Sequence, residues 1–340
     1  MPDERESDAV RVPRREGEAV RARLLEEGRL RTDLRIRGEG DDLLIPVESA
    51  AGLAWPVVRA PFEPQKQPPP PYAEVARVPD DVRARLPSSY DVVGSIVLVK
   101  IPEDLLSHRR AIGEALVASI KPAKTALLDR GVKGAFRVRD VEVLAGEPTT
   151  ETEVVENGLR LAVDVATCYF SPRLATERKR VADLVRPGER VLDLFAGVGP
   201  FALAIAKHAR PARVDAVDLN PDAVKYLKRN IARNKLAAPV TAACDDARAF
   251  ARAHPGAYDR IVMNLPHTAR AFFADALVTL AAEGGVVHLH AIMDPARVEA
   301  LVAELQGETP RSVALSATRE VRTYSPQERH LALDLSVGPG

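Results

Sequence analysis

The stretch Asp193-Leu-Phe-Ala-Gly197-Val-Gly199-Pro-Phe-Ala202 decides how this chain is read. The run VLDLFA (191–196) is apolar enough for a buried strand, and FALAIAKHA behind it has helical period. Gly197 and Gly199 allow the backbone to come close to a ligand. Pro200 suits the first turn of a helix, whose N-terminal amides then face whatever sits above the turn. Gly197, Gly199 and Ala202 also satisfy the G-x-G-x-x-G/A dinucleotide fingerprint, and a purely structural strand–helix turn has the same appearance.

Strands and helices alternate on the C-terminal side of this stretch. VDAVDLN (214–220), VTAACDD (240–246), RIVMNLP (260–266) and GVVHLHAI (285–292) read as strands. DAVKYLKRNIARNK and RAFFADALVTLAAE read as helices between them, and a further helix near 295–305 follows the last. Repeated β–α units predict a mostly parallel sheet covered on both faces. The chain ends differently, with SVALSATREVRTYS and RHLALDLSV predicting an antiparallel hairpin at one edge.

Upstream the rhythm changes. ATERKRVADLV is helical, whereas residues 74–160 mix a β-rich DVVGSIVLVKI (91–101), a helix over 103–120 and strands at 135–144 and 158–165. Residues 61–72, PFEPQKQPPPPY, favour an extended spacer. A helix over Glu16 to Leu30 and a strand at 43–47 precede it. The expected division is residues 1–60, a Pro-rich linker over 61–73, a middle α/β domain over 74–160 and a catalytic domain over 161–340.

Composition narrows the function. The 340 residues carry 48 basic and 48 acidic side chains, so a uniformly basic coat is excluded. The sum hides local excess: residues 121–139 hold six basic side chains against Asp129, and residues 11–37 nine arginines against five acids. Such local fields suffice for phosphate neutralisation. Two distant cysteines, Cys168 and Cys244, exclude a disulfide framework or a cysteine zinc site, and no metal site is expected. With no secretory h-region and no long apolar run, a cytoplasmic protein without a membrane partner is expected.

Three carboxylates fall at predicted strand ends: Asp193, Asp218 and Asp246. Ligands of open α/β sheets sit there, and Asp218 is placed to accept ribose hydroxyls. Read alone, Asp218 could instead cap the helix that begins at Pro221. Together the acids suit a cationic nucleoside, S-adenosylmethionine, better than a diphosphate. The fourth strand ends in Asn264-Leu265-Pro266, where Pro266 restricts the backbone and leaves neighbouring carbonyls free to accept.

With SYDVVG (89–94), GAFRVRDVEVLAGE (134–147), YFSPRLATER (169–178), DLFAGVGPF (193–201), DLNPDAV (218–224) and MNLP (263–266) in this order, the whole chain resembles the archaeal–eukaryotic type of tRNA (guanine-N1)-methyltransferase. The resemblance implies an α/β fold: a Rossmann-like class I methyltransferase domain, mostly parallel with an antiparallel C-terminal hairpin, preceded by two smaller α+β domains. It implies S-adenosylmethionine as cofactor, bound by Asp193, Phe195, Gly197, Gly199, Asp218, Asp246, Asn264, Leu265 and Pro266. It implies tRNA as partner, held at the anticodon loop and outer corner by a monomer. It implies that the methylated base is the guanosine immediately 3′ of the anticodon.

Glu177, Arg137, Asn264 and Tyr169 are the catalytic residues the resemblance carries over. Glu177 would remove the guanine N1 proton, Arg137 would stabilise the charge that builds on O6, and Tyr169 would stack on the base or shape the cofactor site. Lys133, Arg137, Arg139, Arg173 and Arg178 would meet the RNA. On the residues alone, Glu177 fits an ion pair with a neighbouring arginine better than a catalytic role, and Arg137 and Arg139 could face solvent. A wybutosine-pathway aminocarboxypropyltransferase shares fold and cofactor. A second methylation of imidazoguanosine, a non-catalytic RNA-binding module and a nicotinamide dehydrogenase are the remaining alternatives.

Overall fold

The computed structural model describes residues 4–65, 69–134, 136 and 138–340. Arg137 therefore lies outside the described residues, as do Lys66, Gln67 and Pro68 of the proline-rich stretch. Packing divides the chain into two compact units, Met1–Pro70 and Pro71–Gly340.

The first unit is an antiparallel sheet of β1 (Arg5–Pro13), β2 (Arg37–Glu39), β3 (Asp42–Pro46) and β4 (Val57–Phe62), in the order β2-β3-β1-β4. The helix Gly17–Glu26 buries Val20 and Leu24 against Val10, Val12 and Ile45. β1 reads RESDAVRVP, and its charged first half hides the strand from apolar periodicity. Pairing with β3 and β4 on both sides holds it in place.

The second unit begins with β5 (Tyr90–Val93), β6 (Ile96–Val99), β7 (Thr125–Lys133) and β8 (Val138–Gly146), in that order across a sheet. The run 91–101, expected as one β-rich segment, is a hairpin broken after Val93. β6 and β7 are parallel, joined through the helix Arg109–Ser119. A two-stranded hairpin follows, β9 (Glu151–Glu156) and β10 (Leu159–Asp164). Leu159, Leu161 and Val163 of β10 share one apolar core with Val93 and Ile96 and with Phe201 and Ile205 further on. No break in packing falls at 160/161.

The large sheet has seven strands: β11 (Arg190–Asp193), β12 (Arg213–Asp218), β13 (Val240–Cys244), β14 (Arg260–Met263), β15 (Gly285–Met293), β16 (Val313–Thr323) and β17 (Arg329–Val337). Their order is β13-β12-β11-β14-β15-β17-β16. β11 to β15 are parallel, and β17 runs antiparallel to both β15 and β16, which is the expected terminal hairpin. One face is covered by a core containing Phe201, Leu203 and Leu227, the other by one containing Phe250, Phe273 and Leu301. The strand order reverses between β11 and β14, so their carboxyl ends open the crevice in which such sheets bind ligands.

Candidate active site

The turn after β11 is built for close approach. Gly197 has φ 56° and Gly199 φ 90°, both in the left-handed region. A Cβ on Gly199 would stand 2.4 Å from Leu227 Cδ1, so only glycine fits. The helix Pro200–His208 starts directly behind, with no side chain capping its N-terminus. The fully buried Asn230 anchors the turn from the helix Pro221–Arg233: its amide donates to the carbonyls of Val198 and Ala162, each at 3.0 Å, and accepts from the Ala162 amide at 2.7 Å.

Two carboxylates flank this turn. Asp193 is 1% exposed, and neither of its oxygens meets a donor in hydrogen-bond geometry. Burial, reinforced by the charge of Asp218, pushes its pKa up to about 7, and nearby amides and Arg178 offset this only in part. Asp218 accepts from the Gly197 amide at 2.7 Å and the Asn220 amide at 2.9 Å, one on each oxygen. Burial raises its pKa and those two bonds oppose the rise. Asp218 is not the cap of the next helix. That cap is Asn220, whose side chain accepts from the Asp222 amide at 3.0 Å. Asp246 is itself a helix cap, taking the amides of Arg248 and Ala249 at the start of Ala247–Ala253. Its Oδ1 is thus committed to the fold.

A cleft of about 1010 Å³ runs from this turn across the second unit. Asp218, Asp246, Gly197, Phe195 and Tyr169 line it, together with Asn264, Leu265 and Pro266 from the end of β14. Phe195 packs edge-on to Phe272 at 5.2 Å. The carbonyls next to Asn264 are not free, contrary to expectation. Leu265 O accepts from Thr268 and Ala269, and Pro266 O from Ile292, which fixes the loop that presents Asn264. The half-buried side-chain amide of Asn264 has no hydrogen-bond partner among the described residues. Tyr169 is 38% exposed, and its carbonyl lies against Gly197.

Glu177 is placed differently. It is 2% exposed and does not line the cleft, although Leu174, Arg173 and Arg178 around it do. Arg180 donates to both of its oxygens, at 2.8 and 2.7 Å, and to both oxygens of Asp334, at 2.6 and 3.0 Å. These two bonded carboxylates hold the Arg180 guanidinium above its ordinary pKa, against burial. His288 binds Asp334 at 2.6 Å on one ring nitrogen and meets Arg260 at 2.7 Å on the other. Burial raises the Asp334 carboxyl, but hydrogen bonds from His288 and Arg180 outweigh it and hold the group well below the usual carboxylate range.

The described residues among those expected to meet RNA are ion-paired. Lys133 holds Asp140 at 2.9 Å, Arg173 holds Asp91 at 2.7 Å, and Arg139 holds Asp129 and Asp91. The exposed pairs can exchange a carboxylate for a phosphate at little cost. Arg178 cannot serve in this way: it is 1% exposed, bound to Glu156 at 2.5 Å and to Ser171 O at 2.7 Å, with its guanidinium 4.8 Å from the Phe170 ring. It joins β9 to the YFSP segment from inside the core. Among the described residues no group of acids, cysteines and histidines could hold a metal, and no helix is long and apolar enough to cross a membrane.

Sequence reasoning passed over Leu219, 54% exposed on the cleft beside Asp218, and the cleft residues Lys100, Phe136, Arg322 and Tyr324. An apolar residue directly after a strand-end acid, and the basic–aromatic spacing of Arg322 and Tyr324, were the available signals.

Comparison with known proteins agrees with this geometry. Residues 152–311 match the TRM5/TYW2 methyltransferase domain, residues 75–149 the TYW2 N-terminal domain and residues 9–52 the tRNA methyltransferase 5 N-terminal domain. A tRNA (guanine(37)-N(1))-methyltransferase Trm5b of Pyrococcus abyssi is 40% identical, over 97% of this chain and 98% of its own. A tRNA(Phe) (4-demethylwyosine(37)-C(7)) aminocarboxypropyltransferase of Pyrococcus horikoshii is 31% identical, over 76% of this chain and 93% of its own. Among solved structures, the complex of aTrm5 and tRNALeu superposes with a TM-score of 0.71 at 33% identity, covering 97% of this chain and 99% of that one.

Proposed function

Because this chain belongs to the family of tRNA (guanine(37)-N(1))-methyltransferases, we propose that it transfers the methyl group of S-adenosylmethionine to N1 of guanosine 37 in tRNA. The supporting observation is the cleft itself, which joins a glycine turn, strand-end carboxylates, Asn264 and an exposed tyrosine. The donor set fits the cofactor. A buried carboxylate with no hydrogen-bond partner, Asp193, favours a nearby cation. Each Asp218 oxygen has one backbone bond and a lone pair left for a ribose hydroxyl. S-adenosylmethionine, when bound, supplies an electrophilic methyl group on a sulfonium.

The rest is work for the protein. Guanine N1 is protonated at neutral pH and becomes a nucleophile only as that proton leaves. Glu177 accepts it by exchanging its bonds to Arg180 for one to N1–H, while Asp334 keeps the Arg180 guanidinium paired. Arg137 donates to O6 as negative charge develops there. Asn264, with its amide uncommitted, hydrogen-bonds the guanine edge and holds N1 at attack distance. The base leaves its stack to enter, and Tyr169 supports it. The enzyme acts as a monomer: residues 1–60 grip the tRNA outer corner, and Lys133 and Arg173, whose ion pairs are exposed, meet the anticodon loop.

Aminocarboxypropyl transfer from the same cofactor is the second reading, favoured by the 31% identical relative. That relative matches 76% of the chain, whereas the Trm5b relative matches 97% and residues 9–52 match a tRNA methyltransferase 5 N-terminal domain. The deciding experiment incubates the protein with labelled S-adenosylmethionine and a tRNA transcript carrying guanosine 37, then maps the product by mass spectrometry. A methyl group on N1 supports the proposal. An aminocarboxypropyl adduct or an unmodified guanosine overturns it.

A further inference from the structure

We propose that Tyr324, Arg322 and His267 form a second nucleotide-binding corner of the cleft, which takes up the unstacked base next to the methylated guanosine. This rests on the tRNA reading above.

The chain has 15 aromatic residues (8 Phe, 6 Tyr, 1 Trp). Four of them are exposed among the described residues, Tyr90, Phe136, Tyr169 and Tyr324, and all four line this one cleft. An exposed aromatic ring is costly to hydrate and rare here, so its confinement to one surface needs a cause. Stacking of unpaired bases is the interaction that such rings offer to RNA. Tyr169 stands beside the glycine turn and serves the target base. Tyr324 comes from the far edge of the sheet, just past β16, and is 46% exposed.

Tyr324 is not a loose side chain. The turn carrying it is closed by hydrogen bonds from the Tyr324 and Ser325 amides to Glu328 O, both at 3.1 Å. Ser325 Oγ accepts from the Glu328 amide at 3.1 Å, and Arg329 donates to Ser325 O at 2.8 Å. The ring packs edge-on to His267, at 5.5 Å between centroids and 73° between planes. His267 directly follows Pro266, so the corner is continuous with the Asn264 loop.

A charge completes it. Most basic residues around the cleft are held by carboxylates, but Arg322 has no acidic partner among the described residues. Its guanidinium lies 6.0 Å from the Tyr324 ring centroid. A cation beside a stacking ring matches a nucleotide, with the base on the ring and the phosphate on the guanidinium. A target base drawn out of its stack exposes a neighbour, and a rigid platform there would hold the loop open.

The test uses the full-length protein and two tRNA transcripts with guanosine 37, carrying 2-aminopurine on its 5′ or its 3′ side. The wild-type protein should change the fluorescence of one of them on binding. Tyr324→Ala should abolish that change and raise KM for tRNA about tenfold, the size of one base–aromatic stack. Tyr324→Phe keeps the ring and should behave as wild type. Arg322→Ala should lower the salt slope of tRNA binding by about one. The affinity for S-adenosylmethionine should be unchanged in all three, which also shows that they fold. If the wild-type protein methylates the transcript and Tyr324→Ala retains its KM and fluorescence change, the corner is not a base site. If the wild-type protein does not methylate guanosine 37, the reading beneath it fails instead.

Discussion

Asp193 and Glu177 are both buried carboxylates of the second unit, 1% and 2% exposed, yet their surroundings are opposite. Neither oxygen of Asp193 has a hydrogen-bond partner, whereas Arg180 occupies both oxygens of Glu177. Burying a charge without a partner is expensive, so a fold tolerates it only where a ligand will supply the partner or a proton will remove the charge. Asp193, which lies behind the cleft lining, can meet that condition with a proton, and in the proposed reading it does so with a cationic ligand. Glu177 is satisfied within the protein, and any proton it takes from a substrate must displace a guanidinium first.

The comparison breaks most severely if Arg180 is removed. Arg180→Ala leaves Glu177 and Asp334 buried without their shared counter-charge, at a cost of about 3–5 kcal/mol. Chemical denaturation would show this as a lower midpoint. Adding Asp334→Asn should cost less than the sum of the two single losses, because both act on one network. A stable Arg180→Ala protein would mean that the pair does not hold Glu177.

Asp193 sharpens the other side. Its folded pKa of about 7 lies above the ordinary value of 3.8. The ligand-free fold therefore binds a proton that the unfolded chain releases, and the resulting stability is full below about 3.8 and lost as pH rises through about 7. A cationic ligand has the reverse preference, so its affinity should rise with pH through the same range, with proton release on the acid side. Asp193→Asn should stabilise the ligand-free protein at pH 8 and weaken S-adenosylmethionine binding about tenfold. Calorimetry in two buffers of different ionisation heat would detect the proton. A pH-independent affinity in the wild-type protein would remove Asp193 from the site.

The smallest effect concerns the histidines behind Glu177. Burial lowers His288 and His290, and burial with the charge of Arg322 brings His330 to about 4. Depressed histidines contribute stability above about pH 6.5, and it is lost as pH falls toward the folded values. Replacing His330 by Gln should flatten the stability profile between about pH 4 and 6.5. An unaltered profile would place the acid sensitivity elsewhere.

What could be read in the sequence follows the same divide. The parallel strands announced themselves as apolar runs, and Gly197, Gly199, Asp193 and Asp218 came with them, because close backbone approach and strand-end acids are local signals. The strands Arg5–Pro13 and Thr125–Lys133 were not read at all, the first hidden by its charged half and the second by the DRGVK that follows its short apolar start. Asp246, read as a cofactor acid, lines the cleft and also caps a short helix through Oδ1, and the capping role weighed for Asp218 belongs to Asn220 two residues on. The Arg180–Asp334 pair spans 154 residues, and nothing local to either residue records it. Lys133 and Arg139 of the basic run 121–139 pair with carboxylates brought close by strand pairing, which the run itself does not show, and Arg178 proved to be core.

Glu177 decides between a catalytic knot and a merely structural one. Single-turnover methyl transfer to tRNA carrying guanosine 37, at saturating S-adenosylmethionine, should fall by about 10²–10⁴ in Glu177→Gln, with cofactor affinity kept within about twofold. Wild-type rates in that variant would contradict the account and leave the Glu177–Arg180–Asp334 network as scaffolding only.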